Sequence, residues 1–405
     1  MSLKEVFCQD RAIGVLQRGF AADKSAHAYI FAGPEGVGKY KTAREWARLL
    51  LCKNPTCGTP APGGDRASKR NKPCLGAEPS RGRLGYIDES QSVPFADSCG
   101  SCESCTLFDA GTHPDFAHVY KELLQFTRDG KDRKPPVEIP IDVIREFLIQ
   151  QVSMRPSLSD RRVFVVSEAE KLNVNSQNAL LKVLEEPPHY CTSILLCTRL
   201  ERLLPTIKSR CQIVRFGPVD EGRIVSRLTE MGLGREPATF FARLAQGSLG
   251  LACQWARLES AGVGLFEIKK NAVASLARLE MADALDLSEQ LGGDARKIAA
   301  GWADLDKATS KSDLSRRAQK TLIQILVSTL RDVMMLSLGQ KRPLINADQA
   351  REIASLAGRL DFEQAVQGVA EGYEMLRWIE ANVNERLIFD RLLLRLAPAA
   401  IMAHM

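Results

Sequence analysis

A chain of 405 residues with 45% apolar and 26% charged residues has an ordinary globular composition and room for two or three domains. Its formal net charge of +6 permits contact with nucleic acid without demanding it. No apolar run reaches the ~18 residues that span a bilayer, and the opening MSLKEVFCQDR lacks the apolar stretch of a secretory signal. The expectation is therefore a cytoplasmic protein, in which eleven cysteines point to metal or catalysis rather than disulfides.

In chain order, AYIFAG (28–33) reads as a short buried strand running into a glycine loop. Residues 41–51 follow as a helix with Ala43, Trp46, Ala47 and Leu50 on one face. Pro and Gly then make up about a quarter of residues 53–98, which reads as a flexible insertion. DFAHVY (115–120) restores order, and a charged turn leads to IPIDVIREFLIQQV, where Asp142 is placed to cap a helix. VFVV (163–166) and TSILLCT (192–198) are buried strands, separated by a helix that Pro187 and Pro188 terminate. Continuous apolar strands alternating with helices imply a parallel sheet covered on both faces. From about residue 262 the signals are helical, with Leu322, Ile325, Leu326, Leu330 and Val333, then Leu387, Phe389, Leu393 and Leu396, at helical spacing.

FAGPEGVGKY (31–40) nearly completes the phosphate-binding pattern G-x-x-x-x-G-K-[ST]. Gly33, Gly36 and Gly38 let backbone N–H groups curl around phosphate oxygens, and Lys39 reaches the outer phosphates. The next residue should give Mg²⁺ a short hydroxyl ligand, and it is Tyr40, whose oxygen is carried too far out. Thr42 faces another side of the helix. The second metal ligand should be an acid at the end of a buried strand, where Ser167 stands with Glu168 behind it. Two independent positions have thus lost a ligand. That argues against Mg²⁺ and against efficient hydrolysis, while ATP stays open as a ligand of the surviving loop.

Cys99, Cys102 and Cys105 have the C-x₂-C-x₂-C spacing that turns thiolates back onto one tetrahedral ion, with structural zinc the usual occupant. Spacing alone leaves Cys52, Cys57, Cys74 and His113 open as the fourth ligand. Cys8, Cys191, Cys197, Cys211 and Cys253 are scattered and read as small core residues.

Taken together, HAYIFAGPEGVGK (27–39), CGSCESC (99–105), GTHPDF (111–116), SEAEKLNVNSQNALLKVLEEPP (167–188), RLLPTIKSRCQIVRF (202–216), GSLG (247–250) and NVNERLIFDRLLLRL (382–396) resemble the AAA+ subunits of bacterial clamp loaders. The resemblance implies an α/β AAA+ P-loop core over 1–216, carrying the insertion 53–98 and a zinc knuckle at 99–105. A small helical lid (217–260) and an all-α collar (261–405) would complete the chain. It favours Cys52 as the fourth zinc ligand, which would pinch the 46-residue insertion at its base. It also places Thr198 as the polar residue that senses a γ-phosphate, and Gly250 where hydrolysing relatives carry a lid arginine.

The same resemblance gives Arg210, in Ser209-Arg210-Cys211, the role of a finger reaching a neighbour's γ-phosphate, where a guanidinium stabilises the charge of transfer. Lys182, Glu185 and Glu186 are read as helix-ending and packing residues that could also set the helix against a neighbour. Expected partners are gamma/tau and delta subunits in a hetero-pentamer, with the sliding clamp and primer-template DNA met through that assembly.

Three readings follow. In the first, the chain is a largely non-hydrolysing stator that lends Arg210 to a neighbour. In the second, it is a gamma/tau-like motor in which Glu168 activates water. In the third, it is a zinc-dependent DNA-binding module, which the mild charge and the lack of aromatic–basic interleaving argue against. Tyr40 and Ser167 favour the first, as does the end of the chain soon after 396 where a tau-type extension would continue.

Overall fold

The computed structural model describes residues 2–58, 95–128, 137–306, 309–340, 343–380 and 385–397. Most of the insertion, including Cys74, the charged turn at 129–136 and part of NVNERLIFDRLLLRL lie outside the described residues. The chain divides into two compact units, Met1–Val219 and Asp220–Met405.

The first unit runs α1 (Asp10–Ala21), β1 (Ala28–Ala32), α2 (Lys39–Leu51), β2 (Thr56–Gly58), β3 (Phe95–Asp97), α3 (Glu103–Asp109), β4 (Phe116–Val119), α4 (Ile141–Ile144) and α5 (Gln150–Val152). It continues through β5 (Arg162–Val166), α6 (Val174–Glu185), β6 (Cys191–Cys197), α7 (Pro205–Lys208) and β7 (Gln212–Arg215). Five strands form one sheet in the order β4-β5-β6-β1-β7, every pair parallel. Side chains alternate across it because the strand period is two. Tyr29, Phe31, Val163, Val165, Ile194 and Leu196 pack on Ala43, Trp46, Ala47 and Leu50 of α2. Ile30, Phe164, Val166 and Leu195 pack on Val143, Ile144 and Leu148 and on Leu180, Val183 and Leu184 of α6. Trp46, fully buried, meets Phe20 and Tyr29 edge-on, which fixes α2 above β1.

Three details differ from the sequence expectations. Pro140 caps α4, so Asp142 lies inside its first turn, where an acid favours the helix N-terminus. A π-helical stretch, Arg145–Ile149, joins α4 to α5. The edges of the insertion are ordered, since β2 and β3 pair antiparallel across its base.

The second unit is helical throughout its described residues: α8 (Glu221–Glu230), α9 (Arg235–Leu244), α10 (Leu249–Ser260), α11 (Leu265–Ala277), α12 (Ala284–Leu305), α13 (Lys311–Ser337), α14 (Ala350–Ala357), α15 (Phe362–Glu380) and α16 (Glu385–Leu396). It holds residues 220–260 of the segment expected as lid, and the segment expected as collar. Leu322, Ile325, Leu326, Leu330 and Val333 are all buried along α13. In α16, Phe389, Leu393 and Leu396 are buried, but Leu387 is 57% exposed and lies off the packed stripe. Lys269 is buried against both carboxylate oxygens of Asp348 at 2.6 and 2.7 Å, with the Phe240 and Phe266 rings beside its ammonium. A charge so deep is tolerable only with such pairing. No helix among the described residues is long and apolar enough to cross a membrane.

Candidate functional site

The phosphate loop connects β1 to α2. Gly36 and Gly38 adopt positive φ, +73° and +103°, which turns successive N–H groups inward ahead of the α2 N-terminus. Gly33 has a different reason to be glycine: a Cβ there would stand 2.4 Å from the Phe216 carbonyl oxygen. Lys39 is only 8% exposed, and its ammonium donates to the carbonyls of Gly33 (2.6 Å) and Pro34 (2.5 Å). Burial lowers its pKa, against the pull of the Glu170 and Glu35 carboxylates. Loop, buried lysine and helix end therefore fit a phosphate chain.

They do not fit the Mg²⁺ that this loop implies. The Tyr40 ring packs against the His118 imidazole at a tilt of 41°, centroids 4.7 Å apart, and His118 in turn packs against Tyr120 at 36° and 4.9 Å. His118 Nε2 is 2.8 Å from Ser167 Oγ. The two positions that should carry metal ligands are thus joined through one histidine. Burial holds His118 down to about 4, so the ring is neutral near pH 7. Thr42 offers no substitute, because its hydroxyl donates to the Gly38 carbonyl at 2.9 Å. Glu168, in left-handed backbone at φ +52°, is ion-paired with Lys171. A hard octahedral cation needs several oxygen donors converging on it, and here one is carried on a ring packed against His118, one is tied to that imidazole and one is paired with an ammonium.

Thr198 also has its own partner. Glu170, two residues beyond Glu168, accepts from the Thr198 N–H at 3.2 Å and from its hydroxyl at 2.5 Å. It is Glu170, rather than Glu168, whose charge acts on Lys39. The sequence carried a signal for this in the acid two places further along the strand exit, and His118 was visible only as a histidine in DFAHVY.

The cysteines converge instead. Sγ of Cys52, Cys99, Cys102 and Cys105 lie within 4.8 Å of one another, and among the described residues they form the only such group of His, Cys, Asp and Glu able to hold a metal. Individual separations are 3.5 Å for Cys52–Cys99, 3.9 Å for Cys52–Cys102 and 4.0 Å for Cys99–Cys105. Four thiolates at ~2.3 Å from a tetrahedral ion stand ~3.8 Å apart, so the donor set fits a metal. Cys52 is the C-cap of α2 and Cys102 the N-cap of α3, so the two helix ends deliver thiols to one point. The Cys99 N–H donates to Cys52 Sγ and the Cys102 N–H to Cys99 Sγ, both at 3.3 Å. Burial works against ionising Cys99, but the backbone N–H groups of Ser101 and Cys102 and its thiol neighbours bring it to about 6. Burial pushes Cys52 up to about 11 and raises Cys105 as well.

His113 is not part of this group. Its Nε2 contacts Ser104 Oγ at 2.9 Å and its Nδ1 accepts from the Asp115 N–H at 3.1 Å, while Ser104 and Ser159 both donate to the Leu51 carbonyl. That network braces the end of α2 beneath Cys52. Of the remaining cysteines, Cys191 and Cys197 are buried, whereas Cys8, Cys211 and Cys253 are only partly so.

Arg210 follows α7 at the sheet's β7 edge. Its guanidinium donates to the Thr206 carbonyl at 3.0 Å and pairs with Glu185, the last residue of α6, at 2.9 Å, leaving the side chain 35% exposed. Gln177 ties α6 to the approach to α7: it donates to the carbonyls of Leu172 (3.0 Å) and Arg202 (3.2 Å) and accepts from the Leu204 N–H (2.9 Å). Glu185 of this helix thus contacts the arginine directly, while Gln177 braces the chain ahead of α7, contacts that helical periodicity does not announce.

Residues 8–72 and 87–220 match the family model described as DNA polymerase III, delta subunit, and residues 309–397 match that of DNA polymerase III, delta subunit, C terminal. The delta-prime subunit of DNA polymerase III from Pseudomonas aeruginosa is 31% identical over 238 residues, 59% of this chain and 57% of that protein. The Bacillus subtilis delta-prime subunit is 24% identical over 389 residues, 96% of each chain. The tau/gamma subunit of Haemophilus influenzae is 28% identical over 252 residues, 60% of this chain and 29% of that protein. The match thus spans just over half of the first relative, nearly all of the second and under a third of the third. Matched by these two models over most of its length, and built of a parallel sheet carrying the phosphate loop, a cysteine cluster and a helical second unit, the chain belongs to the DNA polymerase III delta-subunit family and is similar to its delta-prime members.

Proposed function

We propose that this subunit is a largely non-hydrolysing stator of the clamp loader, helping to load the sliding clamp onto primed DNA in the cytoplasm while its neighbours hydrolyse ATP. Its partners are gamma/tau and delta subunits in a hetero-pentamer, gathered through the helices of the collar (261–405), with the lid at 217–260. Arg210 acts in trans on a neighbour's γ-phosphate, and Glu185 holds the guanidinium at the surface until that phosphate replaces the carboxylate. Zn²⁺ on Cys52, Cys99, Cys102 and Cys105 clamps α2 to α3 and closes the base of the insertion.

One observation carries this reading. Tyr40, His118 and Ser167 fill the local metal position with a neutral cluster, while Arg210 stays partly exposed at an edge. A motor that used Glu168 to activate water would need that carboxylate free of Lys171.

DNA- and clamp-stimulated turnover by the reconstituted loader tests the proposal. Arg210→Ala should slow turnover by roughly 10³-fold or more, the range of arginine fingers. Lys39→Ala should leave it nearly unchanged. Damage from Lys39→Ala with Arg210→Ala harmless would make the chain a motor and reject the stator.

A further inference from the structure

Nucleotide loops of this kind bind their phosphates together with Mg²⁺, which neutralises charge and bridges the outer two groups. The residues present disagree with that arrangement. The position after Lys39 carries a ring packed at a tilt against His118, the strand-end position carries a hydroxyl hydrogen-bonded to the same imidazole, and Glu168 is paired with Lys171. Yet the cradle itself is intact: Gly36 and Gly38 turn the backbone inward, α2 offers its N-terminus with no acid in the first turn, and Lys39 is buried within the loop. An anion can be received here; the cation that would accompany it cannot.

A second observation limits the length of the phosphate chain. Thr198, which the resemblance places at an outermost phosphate, already donates to the Glu170 carboxylate, and the Lys39 ammonium donates to the Gly33 and Pro34 carbonyls. Glu170 accepts two hydrogen bonds from Thr198 and acts electrostatically on Lys39. A third phosphate without magnesium would bring further negative charge toward this carboxylate. A diphosphate would not extend so far, and its charge is within reach of one ammonium, the loop N–H groups and the helix end.

We propose that the loop takes a nucleoside diphosphate without a divalent cation. His118 is the residue that excludes the metal, holding Tyr40 on one side and Ser167 on the other, and Glu170 is the residue that selects against the triphosphate. This rests on the reading that the subunit does not hydrolyse ATP at its own loop, and it adds what the loop binds instead.

The test is equilibrium binding of ADP and ATP to the full chain by calorimetry, in excess Mg²⁺ and in excess EDTA. The ADP dissociation constant should agree within about twofold between the two conditions, and ATP should bind about tenfold more weakly than ADP in both. Tightening of either nucleotide by about tenfold or more with Mg²⁺ would overturn the proposal. So would preference for ATP, or no binding of either. The combined change Tyr40→Thr, His118→Ala and Ser167→Asp should create Mg²⁺-dependent ATP binding. If that variant does not fold, the wild-type comparison decides alone. Product release measured in the same samples separates the two ideas: hydrolysis by the isolated chain rejects the stator, whereas Mg²⁺-dependent binding without hydrolysis rejects only this inference.

Discussion

The cysteine cluster and the phosphate loop sit at opposite ends of α2, and they treat their metal donors in opposite ways. At the C-terminal end, four thiols from two separated stretches meet at 3.5–4.0 Å in the closest pairs. At the N-terminal end, the donors are dispersed onto protein partners: Tyr40 and Ser167 to His118, Glu168 to Lys171, Thr42 to its own helix. The difference teaches that a glycine loop can serve packing as well as ligand binding. The glycine loop is also a packing element, since Gly33 lies against Phe216 and Gly38 starts the helix that buries Trp46. A buried thiol group of this kind gains little from itself without an ion, because burial opposes ionising Cys52 and Cys105.

The largest expected effect sharpens the first half of that comparison. Cys105→Ser, or stripping metal with a chelator, should remove close to one bound zinc per chain and destabilise the first unit by well over ~3 kcal/mol, since structural zinc contributes directly to folding. Elemental analysis with thermal unfolding would decide it. A chain that contains no zinc as purified, or loses it without a shift in midpoint, would break the comparison.

A smaller effect probes the packing role of the loop. Gly33→Ala should cost about 2–3 kcal/mol in chemical denaturation, because its methyl meets the backbone of Phe216 and neither side can move cheaply. An unchanged midpoint would mean that the loop is not needed for packing, and would leave its survival unexplained.

The smallest effect concerns His118. Its folded value of about 4 lies below the ordinary histidine value of 6.5, so the unfolded chain binds the proton first. The stability that neutral His118 contributes is complete above about 6.5 and is lost as pH falls toward 4. Between pH 7 and 5 the wild type should therefore lose about 1–2 kcal/mol more than His118→Asn. Equal losses in urea titrations at the two pH values would remove the neutral-imidazole account of the cluster.

Much of the fold was legible in the sequence because it depends on local periodicity. Continuous apolar runs announced β1, β5 and β6, and the spacing of Ala43, Trp46, Ala47 and Leu50 announced the buried face of α2. Leu387 shows the limit of the same argument. Its spacing matches the α16 stripe, but it is one of the residues the neighbouring helices leave uncovered.

The sequence by itself determined which residue types were available: a glycine loop with lysine but no following hydroxyl, a strand ending in serine, three cysteines at two-residue gaps, an arginine before β7. These are properties of adjacent residues, and short-range geometry constrains them. Only the tertiary structure decided which distant groups meet. It chose Cys52 over His113 beside the three knuckle cysteines, set Glu170 rather than Glu168 beside Thr198, put His118 between Tyr40 and Ser167, and paired Glu185 with Arg210. The physical reason is that each of these contacts joins elements that the sheet brings side by side across long stretches of chain, and no periodicity encodes the direction in which a polar side chain turns once it arrives.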